Sequence, residues 1–263
     1  MITQLSVIIP TYNSATTIFK CISTIINQTF RNYEILIIDG LSKDDTIPII
    51  RSFNDERIKI HSEADQGVYD AMNKGIKMAT GEWVFILGSD DCLYNNDVLQ
   101  NFFDEIVGVE VDVVYGNVVS PRFNGLYGGE FDEERILREN ICHQSIFFRK
   151  HIFKKIGLFK TRFKALADWD HNIKWFCSKK ITHKYIDLII AHYSDGGLSS
   201  VINDSCFESE RGIRYLIYGS GGLPLKQKIG YFKAIFIAAI NQKKFDRAFF
   251  LLVNFGKILN NRK

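Results

Sequence analysis

The sequence is expected to fold as a mostly parallel, doubly wound α/β sheet flanked by helices, with a helical extension at its C-terminus. Three observations predict this. Short β-rich apolar runs alternate with stretches of helical spacing between residues 5 and 87. The runs "YEILIID" and "WVFIL" are nearly unbroken in apolar residues, as buried strands are. From Asp204 onward the spacing is helical to the end.

The elements follow in order. "LSVII" (5–9) is a first strand, closed by Pro10. Residues 14–28 place Ile18, Cys21, Ile22, Ile25 and Ile26 on one helical face, with Ser14 as candidate N-cap. "YEILIID" (33–39) is the second strand. "KDDTIPIIRSF" (43–53) predicts a short helix that opens on acidic residues, and Pro48 fits only its first turns. "RIKIH" (57–61) alternates as a third strand. "GVYDAMNKGIKMA" (67–79) is a helix with Val68, Ala71, Met72 and Gly75 on one face, and "WVFIL" (83–87) is the fourth strand. The second half is less regular. Strands are expected over 111–119, with a kink at Gly116, over 144–150 and over 184–193. A helix is expected over 168–178, and "RFNGLYGGEF" (122–131) as loop or short strands. The domain reading is a first half over 1–119, a second over 120–220 and a basic amphipathic helical tail over 221–263.

A chain with 46% hydrophobic and 24% charged residues can bury a real core. The net charge of +3 is uneven. From Pro224 to Lys263 there are nine Lys or Arg against one acid, Asp246, so that tail carries +8 and the rest −5. An acidic body argues against nucleic-acid binding; the basic tail is a candidate for an anionic partner. The cysteines are Cys21, Cys92, Cys142, Cys177 and Cys206, scattered and without a C-x-x-C pair. Neither a zinc site nor a disulfide framework is predicted, and reduced thiols of a cytoplasmic protein are expected. No signal peptide is read at the N-terminus, and no apolar run reaches the ~18 residues of a membrane span.

In doubly wound sheets ligands bind at the carboxyl ends of the strands. Here those ends are Pro10 to Asn13, Asp39-Gly40, Glu63 to Asp65, and Asp90-Asp91. Three of the four carry carboxylates. Two adjacent carboxylates at the end of "WVFILGSDD" repel each other and would repel a bare phosphate, unless a divalent cation neutralises them. Hard oxygen ligands suit Mg2+ or Mn2+. Read as residues alone, Asp90-Asp91 could equally cap a helix. A nicotinamide oxidoreductase is disfavoured, because "IPTYNSAT" stands where G-x-G-x-x-G would follow the first strand. A nucleotidyltransferase would need a Gly-rich, basic loop at that place, and there is none. A catalytically silent sugar-nucleotide-binding module remains the non-enzyme alternative.

The stretches "LSVIIPTYN", "IIDGLSKDDT", "SEADQGVYDAMNKGIKMATGEWVFILGSDD", "CHQSIFFRK" and "ADWDHNIKWF" together resemble the family 2 glycosyltransferases of the GT-A fold. The likeness runs over residues 3–200. It is nearest the bacterial branch that builds O-antigen, capsule or colanic-acid-like polysaccharides. The resemblance implies an inverting, metal-dependent transfer of a hexose or N-acetylhexosamine from a UDP-sugar to a lipid-linked saccharide. It implies that Asp91 binds Mn2+ or Mg2+, with Asp90 on the metal's outer sphere or on the ribose and Ser89 beside the nucleotide. Gly88 departs from the commoner Asn-Ser-Asp-Asp and is expected to matter little. Asp39 would accept from uracil N3–H, with Pro10, Thr11 and Tyr12 lining the base. Asp65 would contact the nucleotide-sugar, and Lys74 would lie near the diphosphate.

Asp168 is expected as the catalytic base, with Asp170 as its rival and Ala167 standing where many relatives carry Glu. His143, Gln144 and Trp169 are expected on the acceptor side. His192 and the "SDGGLSS" loop could close over the diphosphate, with His192 as a further metal ligand. The tail is read either as helices packed on the catalytic domain or as a peripheral contact at the inner face of the cytoplasmic membrane.

Overall fold

The computed structural model describes residues 3–195, 202, 204–219 and 223–260. Strands β1 (Leu5–Thr11), β2 (Tyr33–Asp39), β3 (Ile58–Ser62) and β4 (Trp83–Ile86) lie parallel in the order β3-β2-β1-β4. The same sheet runs on into the second half. β8 (Ile146–Arg149) pairs antiparallel with β4, and β6 (Val113–Ser120) antiparallel with β8. β9 (His183–His192) is parallel to β6, and the two-residue β5 (Cys92–Leu93) closes that edge. β7 (Gly125–Tyr127) forms a hairpin with β6. The expected parallel sheet is therefore the first half; the second half adds strands of both senses.

The period of two along each strand splits the core into two layers. Val7 and Ile9, Ile35 and Ile37, and Trp83 and Phe85 face one side with α1 (Ile18–Ile26), α2 (Thr46–Ser52) and α4 (Val98–Glu105). Ile8, Leu36, Ile38, Val84 and Ile86 face the other with α3 (Val68–Met78) and α7 (Ala167–Phe176). Gly75 lets α3 lie close on β1, since a Cβ there would sit 2.4 Å from Ile8 Cγ2. Phe102 of α4 stacks on Phe147 with centroids 3.8 Å apart. Neither α4 nor β5 was read in the sequence. α4 is two turns long, and β5 is defined only by its partner β9.

The kink expected at Gly116 is present. The pairing of β6 with β9 shifts register across it and again after Asn117, and a Cβ there would meet Leu188 O at 2.5 Å. Short helices α5 (Glu133–Ile136) and α6 (Ile152–Ile156) fill the second half. After α7 and β9 come α8 (Ser205–Arg214) with a π turn over Tyr215–Gly219, then α9 (Leu225–Asn241), α10 (Phe245–Val253) and α11 (Phe255–Asn260). These last helices share a small core of Ile213, Leu216, Ile217, Leu251 and Ile258.

At the amino end of the sheet, buried Glu34 ties three segments together. It accepts from Ser6 Oγ at 2.6 Å, from Thr80 N and Oγ1 at 2.7 Å each, and from Lys59 Nζ at 2.7 Å. Burial alone would raise its pKa, but these donors together hold it down at about 2. A depressed carboxylate stabilises the fold above its unfolded value of 4.5, and that contribution is lost as pH falls towards 2. Glu34→Gln is expected to cost on the order of 2 kcal/mol at pH 7, allowing for the exposure of Lys59. Urea unfolding at pH 7 and at pH 3 checks this: the deficit should shrink at the lower pH.

Candidate active site

The carboxyl ends of β1 and β4 open into a cleft of 510 Å³ between the two halves of the sheet. From the first half it is lined by Pro10, Tyr69, Ser89, Asp90 and Asp91. From the second half come Asn140, His143, Gln144, Asp168 and Trp169, with Arg122, Phe123, Tyr127 and Tyr193 along one wall. The expected metal carboxylates and the expected base thus face one space.

Asp91 is 1% exposed. Its Oδ2 accepts from Gln144 Nε2 at 2.7 Å and its Oδ1 from Ser194 N at 2.8 Å. Burial, and then the neighbouring Asp90, push its pKa up to about 6 against the pull of those donors. Gly88 matters more here than expected. A Cβ at that position would lie 2.5 Å from Asp91 Oδ2 and 2.8 Å from Asp90 Oδ1, so glycine makes room for both carboxylates. Ser89 Oγ lies 2.8 Å from Ser14 Oγ and fixes the turn from the β1 side.

Two hard carboxylates side by side, one of them raised by burial and then by its neighbour, suit a divalent cation that would relieve the repulsion. Among the described residues no group of three His, Cys, Asp or Glu converges, so a cation here would find these two carboxylates and would need further ligands from outside the chain. His192 is exposed, its ring lies tilted to that of Tyr94 with centroids 5.0 Å apart, and it does not line the cleft. Most of the "SDGGLSS" loop lies outside the described residues.

Asp168 opens α7 and is 7% exposed. Its Oδ1 accepts from Trp169 N at 2.9 Å. The Tyr69 hydroxyl lies 2.9 Å from the same oxygen and 2.8 Å from Ala165 O, so its single proton is shared between them. Oδ2 accepts from Asn140 Nδ2 at 2.9 Å. Asn140 is held in turn by Asn172 Nδ2 at 2.9 Å, and Asn172 by Trp175 Nε1 at 2.9 Å. His143 Nδ1 stands 3.6 Å from Oδ2, just beyond hydrogen-bond length. His143 and Gln144 form one 3-10 turn before β8. One residue of that turn reaches toward Asp168 and the next binds Asp91. Gln144, expected on the acceptor side, thus donates to Asp91, the expected metal carboxylate.

Asp170, the rival base, is buried outside the cleft lining. It is 1% exposed and bound by Arg214 Nε at 2.5 Å, Lys174 Nζ at 2.6 Å and Lys160 Nζ at 3.4 Å. Trp169 donates Nε1–H to Ile136 O at 2.7 Å and lies 5.1 Å from the Phe207 ring, so it is mostly core with one face on the cleft.

Of the residues expected around the nucleobase, Pro10 lines this cleft, whereas Thr11, Tyr12, Asp39 and Asp65 gather at the ends of β1, β2 and β3 outside its lining. Tyr12 is 59% exposed. A Cβ on Gly40 would lie 3.4 Å from Tyr12 Cδ2 and 2.5 Å from Asp65 Oδ2, so these three meet. Asp65 Oδ1 accepts from Gly67 N at 2.8 Å, and Thr11 Oγ1 donates to Ile9 O at 3.0 Å. Buried Asp39 takes Ser42 Oγ at 2.5 Å and Ser62 Oγ at 2.6 Å, the capping role that a strand-end carboxylate can fill. Lys74 turns away from the cleft. Its ammonium binds Ala64 O at 2.7 Å, Glu63 at 2.9 Å and Asp70 at 3.4 Å, and so braces the turn that carries Asp65.

Sequence reasoning missed Tyr69 and Asn140, and although it singled out the loop that Ser194 opens, it did not foresee the bond from Ser194 to Asp91. Tyr69 follows Val68 on a face that periodicity assigns to the core, and Asn140 sits in a segment with no period. Ser194 reaches Asp91 only because β9 pairs with β5.

The sequence model described as "Glycosyl transferase family 2" matches residues 6–172. A PGL/p-HBAD biosynthesis glycosyltransferase of Mycobacterium tuberculosis is 43% identical over 208 residues, covering 77% of this chain and 81% of the relative. Glycosyltransferase AglE of Haloferax volcanii is 31% identical over 201 residues, covering 71% of this chain and 64% of the relative. S. aureus TarS 1–349 in complex with UDP-GlcNAc superposes with a TM-score of 0.70 at 20% identity, over 86% of this chain and 69% of that one. Mannosyltransferase PcManGT from Pyrobaculum calidifontis, in complex with GDP-Man and Mn2+, gives 0.59 at 17% identity, over 99% and 88%. At such identities the structures speak for the GT-A fold, while the family match and the mycobacterial relative speak for the family. The chain belongs to glycosyltransferase family 2.

Proposed function

We propose that the chain transfers a hexose or N-acetylhexosamine from a UDP-sugar to a lipid-linked saccharide, with inversion at the anomeric carbon. The observation that carries this is the shared cleft: Asp90 and Asp91 on one side, Asp168 on the other, with Gln144 bonded to Asp91 and its neighbour His143 standing 3.6 Å from Asp168. Asp168 takes the proton of the acceptor hydroxyl as that oxygen bonds to the anomeric carbon. The bond from that carbon to the diphosphate breaks on the opposite face, and UDP leaves with the electron pair. Asn140 and Tyr69 hold the carboxylate in place for this step. A cation held by Asp91, with Asp90 beside it, would offset the charge of the departing diphosphate.

Tyr12, Gly40 and Asp65 supply the surface for the nucleoside, and Tyr12 has an exposed ring to stack on the base. Asp39 is a hydrogen-bond acceptor for uracil N3–H if Ser42 or Ser62 turns its hydroxyl aside. The motifs favour a surface polysaccharide of the O-antigen or capsule kind as the product. The mycobacterial relative, 43% identical, favours a PGL/p-HBAD type of product instead. We place the enzyme at the inner face of the cytoplasmic membrane; among the described residues no helix is long and apolar enough to cross one.

Calorimetry of UDP with Mn2+ and then with EDTA tests the donor side. Binding should weaken at least tenfold in EDTA and to a similar degree in Asp91→Ala. Equal binding in EDTA would remove the cation from the site. No UDP binding by a folded sample would end the assignment of the donor.

A further inference from the structure

The C-terminal helices have two different faces. Inward, α10 buries Ala248 and Leu251. Its Phe250 ring lies 5.8 Å from the Lys160 ammonium and 5.8 Å from the Arg162 guanidinium, on the loop that leads into α7. That loop continues to Ala165 and Leu166, which line the cleft. Outward, Phe245 is 63% exposed, Phe249 68%, Leu252 54% and Val253 63%. Their spacing of four, three and one residues puts them on one stripe of the helix. Ile237 and Ile240, at the end of α9, extend the apolar surface across the turn and are also exposed. A monomer in water does not keep such a patch without a use for it.

The charge around the patch decides what covers it. Lys243 and Lys244 form the turn between α9 and α10, with Arg247 one turn on and Lys233 exposed on α9. Asp246 is the only acid from residue 224 to the end. A second copy of this face would bring like charges together, whereas an anionic surface would be attracted to both the lysines and the apolar stripe.

We infer that the outer face of the α9–α10 hairpin docks on an anionic lipid bilayer, with Phe245, Phe249, Leu252 and Val253 entering the headgroup region. The helices lie on the surface and do not span it. This goes beyond the transfer reading and does not depend on it. Because Phe250 on the inner face meets the loop that runs on to the cleft, such docking would tie the cleft to a surface that carries a membrane-borne acceptor.

The test is co-sedimentation of the full chain with vesicles, in the absence of any nucleotide. Vesicles of phosphatidylcholine with about one third phosphatidylglycerol should bind it, pure phosphatidylcholine weakly, and salt should loosen the complex. The double variant Phe245→Ser, Phe249→Ser alters only exposed side chains. It should keep the circular dichroism of the parent and bind anionic vesicles about tenfold less. A parent that stays in the supernatant with anionic vesicles at low salt overturns the proposal. So does concentration-dependent self-association, seen by sedimentation velocity, that the same double variant abolishes.

Discussion

Asp168→Asn should remove transfer while leaving UDP binding intact. General base catalysis contributes on the order of 10²–10⁴-fold, and a loss of that size in kcat is expected. The substitution keeps the side chain's shape, and its carbonyl oxygen can still accept from Trp169 N and Tyr69. Its amide, however, would face Asn140 Nδ2 across the 2.9 Å now bridged by a hydrogen bond, donor against donor. That contact adds a local strain of about 1–3 kcal/mol, unless Asn140 turns over and loses Asn172. A control separates the two effects. Asn140→Ala removes the support of Asp168 without removing its carboxylate, so it should slow transfer by roughly tenfold, far less than Asp168→Asn. If both variants fall equally, geometry rather than proton acceptance accounts for the loss. If Asp168→Asn turns over normally, the carboxylate is only a helix cap, as its bond from Trp169 N allows.

The first half of the fold was legible because β1, β2 and β4 are buried along their whole length and the edge strand β3 alternates, so each announces itself without a partner. "YEILIID" and "WVFIL" became β2 and β4 within a residue of their expected ends. The second half depends on pairing. β5 exists only against β9, and the mixed senses of β6, β8 and β9 follow from contacts that no local period encodes. The same division runs through the site. Asp90, Asp91 and Asp168 could be singled out because each stands at the end or start of a readable element. The hydrogen-bond partners that orient them could not. Asn140, Asn172 and Trp175 are separated by up to 35 positions yet form one chain of bonds ending on Asp168. Gln144 and Ser194 bind the same carboxylate from segments 50 residues apart. Carboxylates can be recognised by type and position, but donors of ordinary type acquire meaning only when the chain folds back on them.

The tail presented two readings, packing on the domain or meeting a partner; its helices pack through one face, and the bilayer proposal concerns the opposite, exposed one. The packed side begins with α8, and there a buried ion cluster sets the attachment. Arg214 is 1% exposed and lies between Asp170, at 2.5 Å, and Glu210, at 3.0 Å. Glu210 also takes a bidentate pair from Arg162 at 2.7 and 2.6 Å, and the Arg214 guanidinium stacks over Phe163 at 4.8 Å and Phe207 at 5.2 Å.

Arg214→Leu fills part of the volume but leaves Asp170 and Glu210 buried with fewer partners. Breaking a buried pair from one side costs about 3–5 kcal/mol, and the lower end is expected here because Lys174 and Lys160 still face Asp170. For a chain of this size that is a fall in Tm of roughly 6–12 °C. Burial works against the charge of Asp170, and Arg214 leads the cations that hold its pKa at about 2. Its contribution is therefore complete above its unfolded value of 3.8 and is lost as pH falls through about 2, so the cost of Arg214→Leu should shrink in acid. Replacing Asp170 as well, by Asn, should recover part of the lost stability at pH 7, since the carboxylate that Arg214 served is then gone. Differential scanning calorimetry of the parent and of the single and double variants reads each of these. A single variant as stable as the parent would mean that water reaches Asp170, and α8 would then be attached through Phe207 and Ile213 rather than through its charges.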